Sequence, residues 1–385
     1  MNSLQDIIQK NRAWSCLDCG KCSAVCPITR WESRQFTSPR LLIEKSVLGQ
    51  VDEIMDDPLF WSCLTCKRCS ELCPSEVNFL GFLREARSLA RVFDQSGDCS
   101  HGEMIQTWGR MMTNPNLRQN RLKWLSGGLR ISESSDTLYF VGCLPYYDPL
   151  FKKLGAEGVE IAQAAVKILN FLDIKPQVLE NECCCGHDQL WEGDIETFQA
   201  LARLNLERLK ASGAKRIVTT CPECAHTLKV DYPQYVGDHG LEILHLSELL
   251  ADSNLSDLVS VPDQESRVTY QDPCHLGRYL GVYEAPRKVL ADLGLDLAEM
   301  EQNRHASLCC GTSCWTACGQ VSKNIQVARL QEAKSTGAKR LVTACVKCQI
   351  HLRCAQNDPI LGETINIEIR DLTTLVAERL SFDGR

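Results

Sequence analysis

Cys16, Cys19, Cys22 and Cys26 stand at the spacing C-x2-C-x2-C-x3-C and are followed by Pro27. Cys63, Cys66, Cys69 and Cys73 repeat that spacing and are followed by Pro74. Three thiolates this close on a tight loop can grip three corners of a 4Fe–4S cubane. The fourth, which starts a helix, reaches a neighbouring cluster. The spacing therefore assigns Cys16, Cys19, Cys22 and Cys73 to one cubane, and Cys63, Cys66, Cys69 and Cys26 to another. A structural zinc site would show two C-x2-C pairs rather than this asymmetric run. Gly20 and Ser23 are small enough to let backbone approach the inorganic sulfides.

A different thiol pattern lies further along. Asn181 to Asp188 reads NECCCGHD, with Cys183, Cys184 and Cys185 in a row. Neighbouring side chains point apart and disulfide geometry is narrow, so adjacent thiols seldom pair with each other. A metal grip or a redox device fits better. The stretch belongs to an internal repeat. GAKRIVTTCPEC, from Gly213 to Cys224, returns as GAKRLVTACVKC from Gly337 to Cys348, an offset of 124 positions (213 to 337). Cys184-Cys185-Gly186 returns as Cys309-Cys310-Gly311. The run Tyr139 to Cys143 returns as Val268 to Cys274. Each copy reads strand, Cys, helix, Cys-Cys-Gly, helix, strand, Cys-x2-Cys.

The elements that must position these thiols follow from local signals. Met1 to Trp14 reads as a short amphipathic helix. Between the first two motifs, Ser38 is an N-cap before Pro39 at the first helical position, with Gly49 as the stop. A second helix spans about Leu80 to Val92. Asp94 to Asp136 reads as a connector with helical pieces, broken by Asn114-Pro115-Asn116 and Ser126-Gly127-Gly128. In the repeat, helices over Ile195–Ser212 and about Ser322–Thr336 end before Gly213 and Gly337. The short runs Arg216–Thr220 and Arg340–Ala344 then read as strands. Strands alternating with helices predict α/β units, with cysteines at strand ends where such folds place ligands.

The chain carries 23 cysteines in 385 residues. A core can form at this length without disulfide staples, so the thiols point to metal or redox chemistry in a reducing compartment, expected to be the cytoplasm. No secretory cleavage pattern is read at the start, and no apolar stretch approaches the roughly 18 residues a membrane span needs, so direct membrane insertion is not expected. The net charge of −7, with no long basic run, makes nucleic acid a poor partner. Length suggests two or three domains.

The paired C-x(n)-C-C-G-x(n)-C-x2-C pattern resembles the cysteine-rich CCG domains of heterodisulfide reductase catalytic subunits. The preceding segment resembles the small two-cluster ferredoxin subunit of the same enzymes. The chain thus looks like the two fused, as in the iron–sulfur subunit of the membrane-linked heterodisulfide reductase. The resemblance implies a multidomain α and α/β fold: an N-terminal α-helical ferredoxin over 1–95, a connector over 96–136, and CCG domains over 137–262 and 263–385. It implies that Cys143, Cys184, Cys185, Cys221 and Cys224 hold one noncubane 4Fe–4S cluster, and that Cys274, Cys309, Cys310, Cys345 and Cys348 hold another. Adjacent thiolates would bridge irons of an opened cluster, and Gly186 and Gly311 would let backbone approach the metal. Zinc at one CCG site is the alternative, though it calls for four ligands and not five.

Cys99, Cys183, Cys314, Cys318 and Cys354 lie outside these sets and read chiefly as small core residues. Cys314 and Cys318 would share one face if their segment were helical. His187 and His275 adjoin cluster cysteines, as hydrogen-bond partners or proton donors. Arg278 and Lys347 could face an anionic substrate, offset cluster charge or be solvated.

Two functions follow from the resemblance. In the first, electrons from a partner flavoprotein pass through the two cubanes to the noncubane clusters, which reduce a disulfide. In the second, the chain is a relay subunit in a larger bifurcating, acyl-CoA reductase or 2-hydroxy-acid oxidase complex. A zinc-stabilised structural subunit is the third reading. No G-x-G-x-x-G follows a strand, so electrons must arrive from another subunit. Hydrogenase or formate dehydrogenase modules are further candidate partners.

Overall fold

The computed structural model describes residues 3–253, 255 and 267–380. The expected boundary between the CCG domains, at 262/263, lies outside the described residues. The chain divides into two compact units. One comprises residues 1–111, 186–198 and 308–326; the other comprises 112–185, 199–307 and 327–385.

The first unit is helical, as expected for its N-terminal part. Ser3 accepts from Asp6 N in a capping box that opens the helix Leu4–Lys10, with Ile7 and Ile8 buried. That helix is shorter than the expected Met1–Trp14, because Asn11 caps it and Arg12 turns left-handed. Ser38 accepts from Leu41 N, and Pro39 starts the helix Pro39–Val47. Short helices Val51–Met55 and Pro58–Ser62 complete the insert. The helix Phe79–Arg91 buries Phe79, Phe82 and Leu83 and is followed by the helical pieces of the connector, the 3-10 turn His101–Glu103 and the helix Met104–Met111. From further along the chain, the helix His187–Glu192 packs on Phe79–Arg91.

The second unit contains the sheets. Strands β1 (Thr137–Tyr139), β2 (Arg216–Thr219) and β3 (Glu242–His245) form one parallel sheet in that order, with Leu138 opposite Ile217 and Ile217 opposite Ile243. Strands β4 (Arg267–Gln271), β5 (Asp296–Leu297), β6 (Arg340–Thr343) and β7 (Glu368–Asp371) form a second parallel sheet in the order β5-β4-β6-β7. Parallel neighbours require crossover connections, and helices such as Gly158–Phe171 supply them. The copies match rung for rung. Arg216 pairs with Glu242 at 2.7 Å, and Arg340 pairs with Glu368 at 2.7 Å. Where β5 lies beside β4 in the second copy, the first copy has an isolated parallel bridge of Leu138 with Gln177. The predicted helices are present as Ile195–Ala211 and Gln320–Ser335.

Candidate metal centres

In the first unit, Cys26, Cys63, Cys66 and Cys69 line one pocket together with Pro27 and Phe79. All four are buried. Burial pushes the Cys63 thiol up to about 12, with the Cys26 and Cys66 thiols adding to the rise and Arg87 opposing it. Burial likewise raises Cys69, and Cys63, Cys66 and Cys26 reinforce the effect. Four mutually influencing thiols around one pocket fit the corners of a cubane. Loading it must displace their protons.

The other set is more open. Cys19 is exposed, and Cys16, Cys22 and Cys73 are half-buried. The helix Lys21–Val25 packs on Arg68–Glu71, and Arg12 Nη1 reaches Glu76 Oε2 at 2.9 Å. These contacts draw the loop before Cys16 towards the loop after Cys73. Cys73 Sγ accepts from Val77 N at 3.4 Å.

In the second unit, Cys143 follows β1 and Cys221 follows β2, at the carboxyl ends of parallel strands. Cys143 Sγ lies 3.6 Å from Cys184 Sγ. Cys185 contacts Cys184 and Cys224, and Cys224 contacts Cys185 and Cys221. The five residues therefore form one connected group. Hydrogen bonding to the neighbouring thiol is the first cause that holds Cys143, Cys185 and Cys224 neutral, with burial adding to it. Five converging sulfurs exceed what a tetrahedral zinc ion takes. A Cβ added at Gly142 would come 3.0 Å from Cys224 Sγ, so glycine keeps that space clear.

Residues that the motif reading did not name hold this group in place. Glu182 accepts from Val141 N at 3.0 Å, from Gly142 N at 2.7 Å and from Arg121 Nη2 at 2.6 Å. It thereby ties the loop before Cys143 to the loop bearing Cys184 and Cys185. Asn205 donates to Cys184 O at 2.9 Å, and Tyr232 donates to Cys185 O at 3.1 Å. Cys183 stands apart from the group. Its Sγ accepts from Arg208 Nη1 at 2.6 Å, a polar contact that a plain core filler would not make.

The second set is divided between the units. Cys274, Cys345 and Cys348 lie in the sheet-bearing unit. Cys309 and Cys310 are buried in the helical one. Cys345 opens the helix Val346–Gln356, with Cys348 in its first turn. Cys274 Sγ is 3.4 Å from His275 Nδ1. The His275 ring stacks on Tyr279 at 4.4 Å and meets His226 edge-on at 5.6 Å. Burial, then His226, Lys347 and Arg278, hold His275 well below the usual imidazole range. His187 is buried, with its ring 6.1 Å from Trp191.

Several expectations need correction. Gly186 and Gly311 both have left-handed φ, of 84° and 91°, and an added Cβ would meet Phe198 Cδ2 and Ser322 O, each at 2.8 Å, so both positions need glycine whatever lies beside them. Cys314 and Cys318 share no helix face. Ser313 and Thr316 form an antiparallel bridge, and Cys314, Trp315 and Ala317 all have left-handed φ. Cys314 is buried while Cys318 is exposed, so the core reading fails for Cys318. Neither Arg278 nor Lys347 is solvated. Arg278 donates to His305 O and Ser307 O, and Lys347 Nζ pairs with Glu223 Oε2 at 2.6 Å.

Residues 137–229 and 268–353 match the CCG cysteine-rich domain, and residues 12–77 match the 4Fe–4S dicluster domain. The D subunit of the dihydromethanophenazine:CoB–CoM heterodisulfide reductase of Methanosarcina mazei is 30% identical, over 96% of this chain and 95% of its own. The B subunit of the CoM/CoB fumarate reductase of Methanothermobacter marburgensis is 30% identical over 61% of this chain and 45% of its own. The EtfAB:quinone oxidoreductase of Syntrophomonas wolfei is 30% identical over 55% of this chain and 30% of its own. A hypothetical protein from Helicobacter pylori superposes over all of this chain and 78% of its own at a TM-score of 0.56, with 11% identity, a likeness of fold alone. Among the described residues, no helix is long and apolar enough to cross a membrane.

Proposed function

This chain belongs to the family of the heterodisulfide reductase D subunit, and from that membership we propose that it takes electrons from a partner flavoprotein and reduces a disulfide at its paired cysteine sites. It is an iron–sulfur electron-transfer subunit. Reduction of one disulfide consumes two electrons and two protons and yields two thiols. Bound clusters would supply the one-electron steps and an iron to receive each sulfur.

The residues of the chain do the rest. Cys16, Cys19, Cys22 and Cys73 hold the more exposed cubane, which suits exchange with a donor. Cys26, Cys63, Cys66 and Cys69 hold the buried one. Cys143, Cys184, Cys185, Cys221 and Cys224 hold a noncubane cluster, and Cys274, Cys309, Cys310, Cys345 and Cys348 hold its counterpart, with zinc as the alternative at one CCG site. The working domain division is 1–95, 96–136, 137–262 and 263–385. Hydrogenase or formate dehydrogenase modules are candidate further members of the complex.

One observation carries this reading. The five thiols of the first copy converge, and the C-x2-C helix starts of the two copies are joined by the largely buried Glu223–Lys347 pair. Helix starts held that close support two sites sharing one substrate. The test is electron paramagnetic resonance on anaerobically purified, oxidised protein before and after adding coenzyme thiols. A new thiol-dependent cluster signal is expected. CCG signals that ignore every thiol would move the assignment to a relay that hands electrons to a protein or quinone. That second reading draws support from the likeness to part of a fumarate reductase and to a quinone oxidoreductase.

A further inference from the structure

Arg87 lies in the helix Phe79–Arg91 and is 1% exposed. Its guanidinium is engaged on three sides. Nε donates to Phe60 O at 2.8 Å, Nη1 to Trp191 O at 2.8 Å and Nη2 to Trp61 O at 3.0 Å. None of these acceptors is a carboxylate. Phe60 and Trp61 belong to the helix Pro58–Ser62, whose C-terminal cap is Cys63. A buried cation therefore sits on the carbonyl end of the turn that delivers a cubane ligand. Its charge acts on Cys63 and on Cys314.

A cubane held by four thiolates is anionic, and reduction adds one more negative charge. Burial alone penalises that extra charge and lowers the potential. A fixed cation in the same low-dielectric surroundings favours the reduced state and offsets the penalty. Cluster potentials respond to such charges as well as to exposure and hydrogen bonding. The two cubane sites differ in this respect. Beside the exposed set, Arg12 and Arg40 are exposed or half-buried and paired with the carboxylates of Glu76 and Asp18, whereas Arg87 is buried and bound to carbonyls.

We infer that Arg87 raises the reduction potential of the cluster held by Cys26, Cys63, Cys66 and Cys69, acting as a fixed charge and positioning residue that draws the electron inward from the exposed cubane. With both cubanes bound, the exchange would be of one electron, lost by the cluster that Cys16, Cys19, Cys22 and Cys73 hold and gained by the one that Cys26, Cys63, Cys66 and Cys69 hold. The inference rests on the cubane assignment of these four thiols and not on the disulfide chemistry. The presence of two cubane signals tests the assignment; the position of one tests Arg87.

The experiment is a redox titration of the purified anaerobic chain followed by electron paramagnetic resonance. Arg87→Met is expected to shift one of the two cubane waves to more negative potential and leave the other in place. Arg87→Lys, which keeps the charge, is expected to stay nearer the wild-type value. Unmoved waves in Arg87→Met, or equal shifts in both variants, would overturn the role of the charge. Should Arg87→Met not fold, Glu192→Gln at pH 9 decides. Glu192 is buried, and its charge acts on Arg87. Removing its negative charge where it is ionised is expected to move the same wave to more positive potential, and no movement there would equally overturn the inference.

Discussion

Glu223 Oε2 and Lys347 Nζ lie 2.6 Å apart, and each occupies the third position of a C-x2-C motif, 124 residues from its counterpart (223 to 347). The repeat therefore meets itself through one position that carries opposite charges in its two copies. Both side chains are largely buried, so breaking the pair leaves a charge without its partner. Glu223→Gln and Lys347→Gln should each cost about 3–5 kcal/mol. The double variant should cost less than the sum, because it leaves neither charge behind. Denaturant unfolding of the single and double variants measures this. Strict additivity would show that the contact is not coupled.

Glu182 should be indispensable for the first CCG site even though it ligates nothing. It holds Val141 N, Gly142 N and Arg121 at once. Glu182→Ala leaves two amides without their acceptor and the buried Arg121 guanidinium without its countercharge, though still donating to Gly142 O, a loss of about 3–5 kcal/mol. Iron content should fall by the share of one cluster while both cubane signals persist. A variant with full iron content would remove Glu182 from this role.

Glu192 gives a pH signature. Burial pushes its carboxyl up to about 8, while Arg91 opposes the shift. Between the ordinary carboxylate value near 4.5 and about 8, the folded state holds a proton that the unfolded chain has released. The contribution of this group to stability should therefore fall as pH rises across that window, by at most about 1.4 kcal/mol per pH unit, and level off above it. In Glu192→Gln that slope should disappear, and melting at pH 8 should rise relative to the wild type. Parallel pH profiles for the two proteins would contradict the assignment.

Cys310→Ser should abolish disulfide turnover and leave both cubane signals unchanged, since Cys310 belongs to neither ferredoxin set. Turnover at the wild-type rate would remove Cys310 from the reacting site. Cys318→Ser, at an exposed cysteine outside every set, is the matched control and should be silent in both readouts.

The sequence by itself determined the thiol inventory, the repeat and the order of strands and helices. Metal ligands must recur at short, stereotyped spacings, and a duplicated unit shows in its own self-similarity. The cap at Ser38 and the strands β2 and β6 were legible for the same reason: local residues dictate them. Only the tertiary structure decided which side chains meet across long separations. Glu182 with Arg121, Glu223 with Lys347 and Arg87 with Trp191 O are pairs that no local spacing announces. Cys314 and Cys318 show the converse. A helical spacing of four promised a shared face, but the backbone there takes left-handed turns and a short bridge to serve its neighbours, burying one thiol and exposing the other. Local spacing reports what neighbours in the chain can do together; burial and charge pairing belong to neighbours in space, which exist only once the chain has folded.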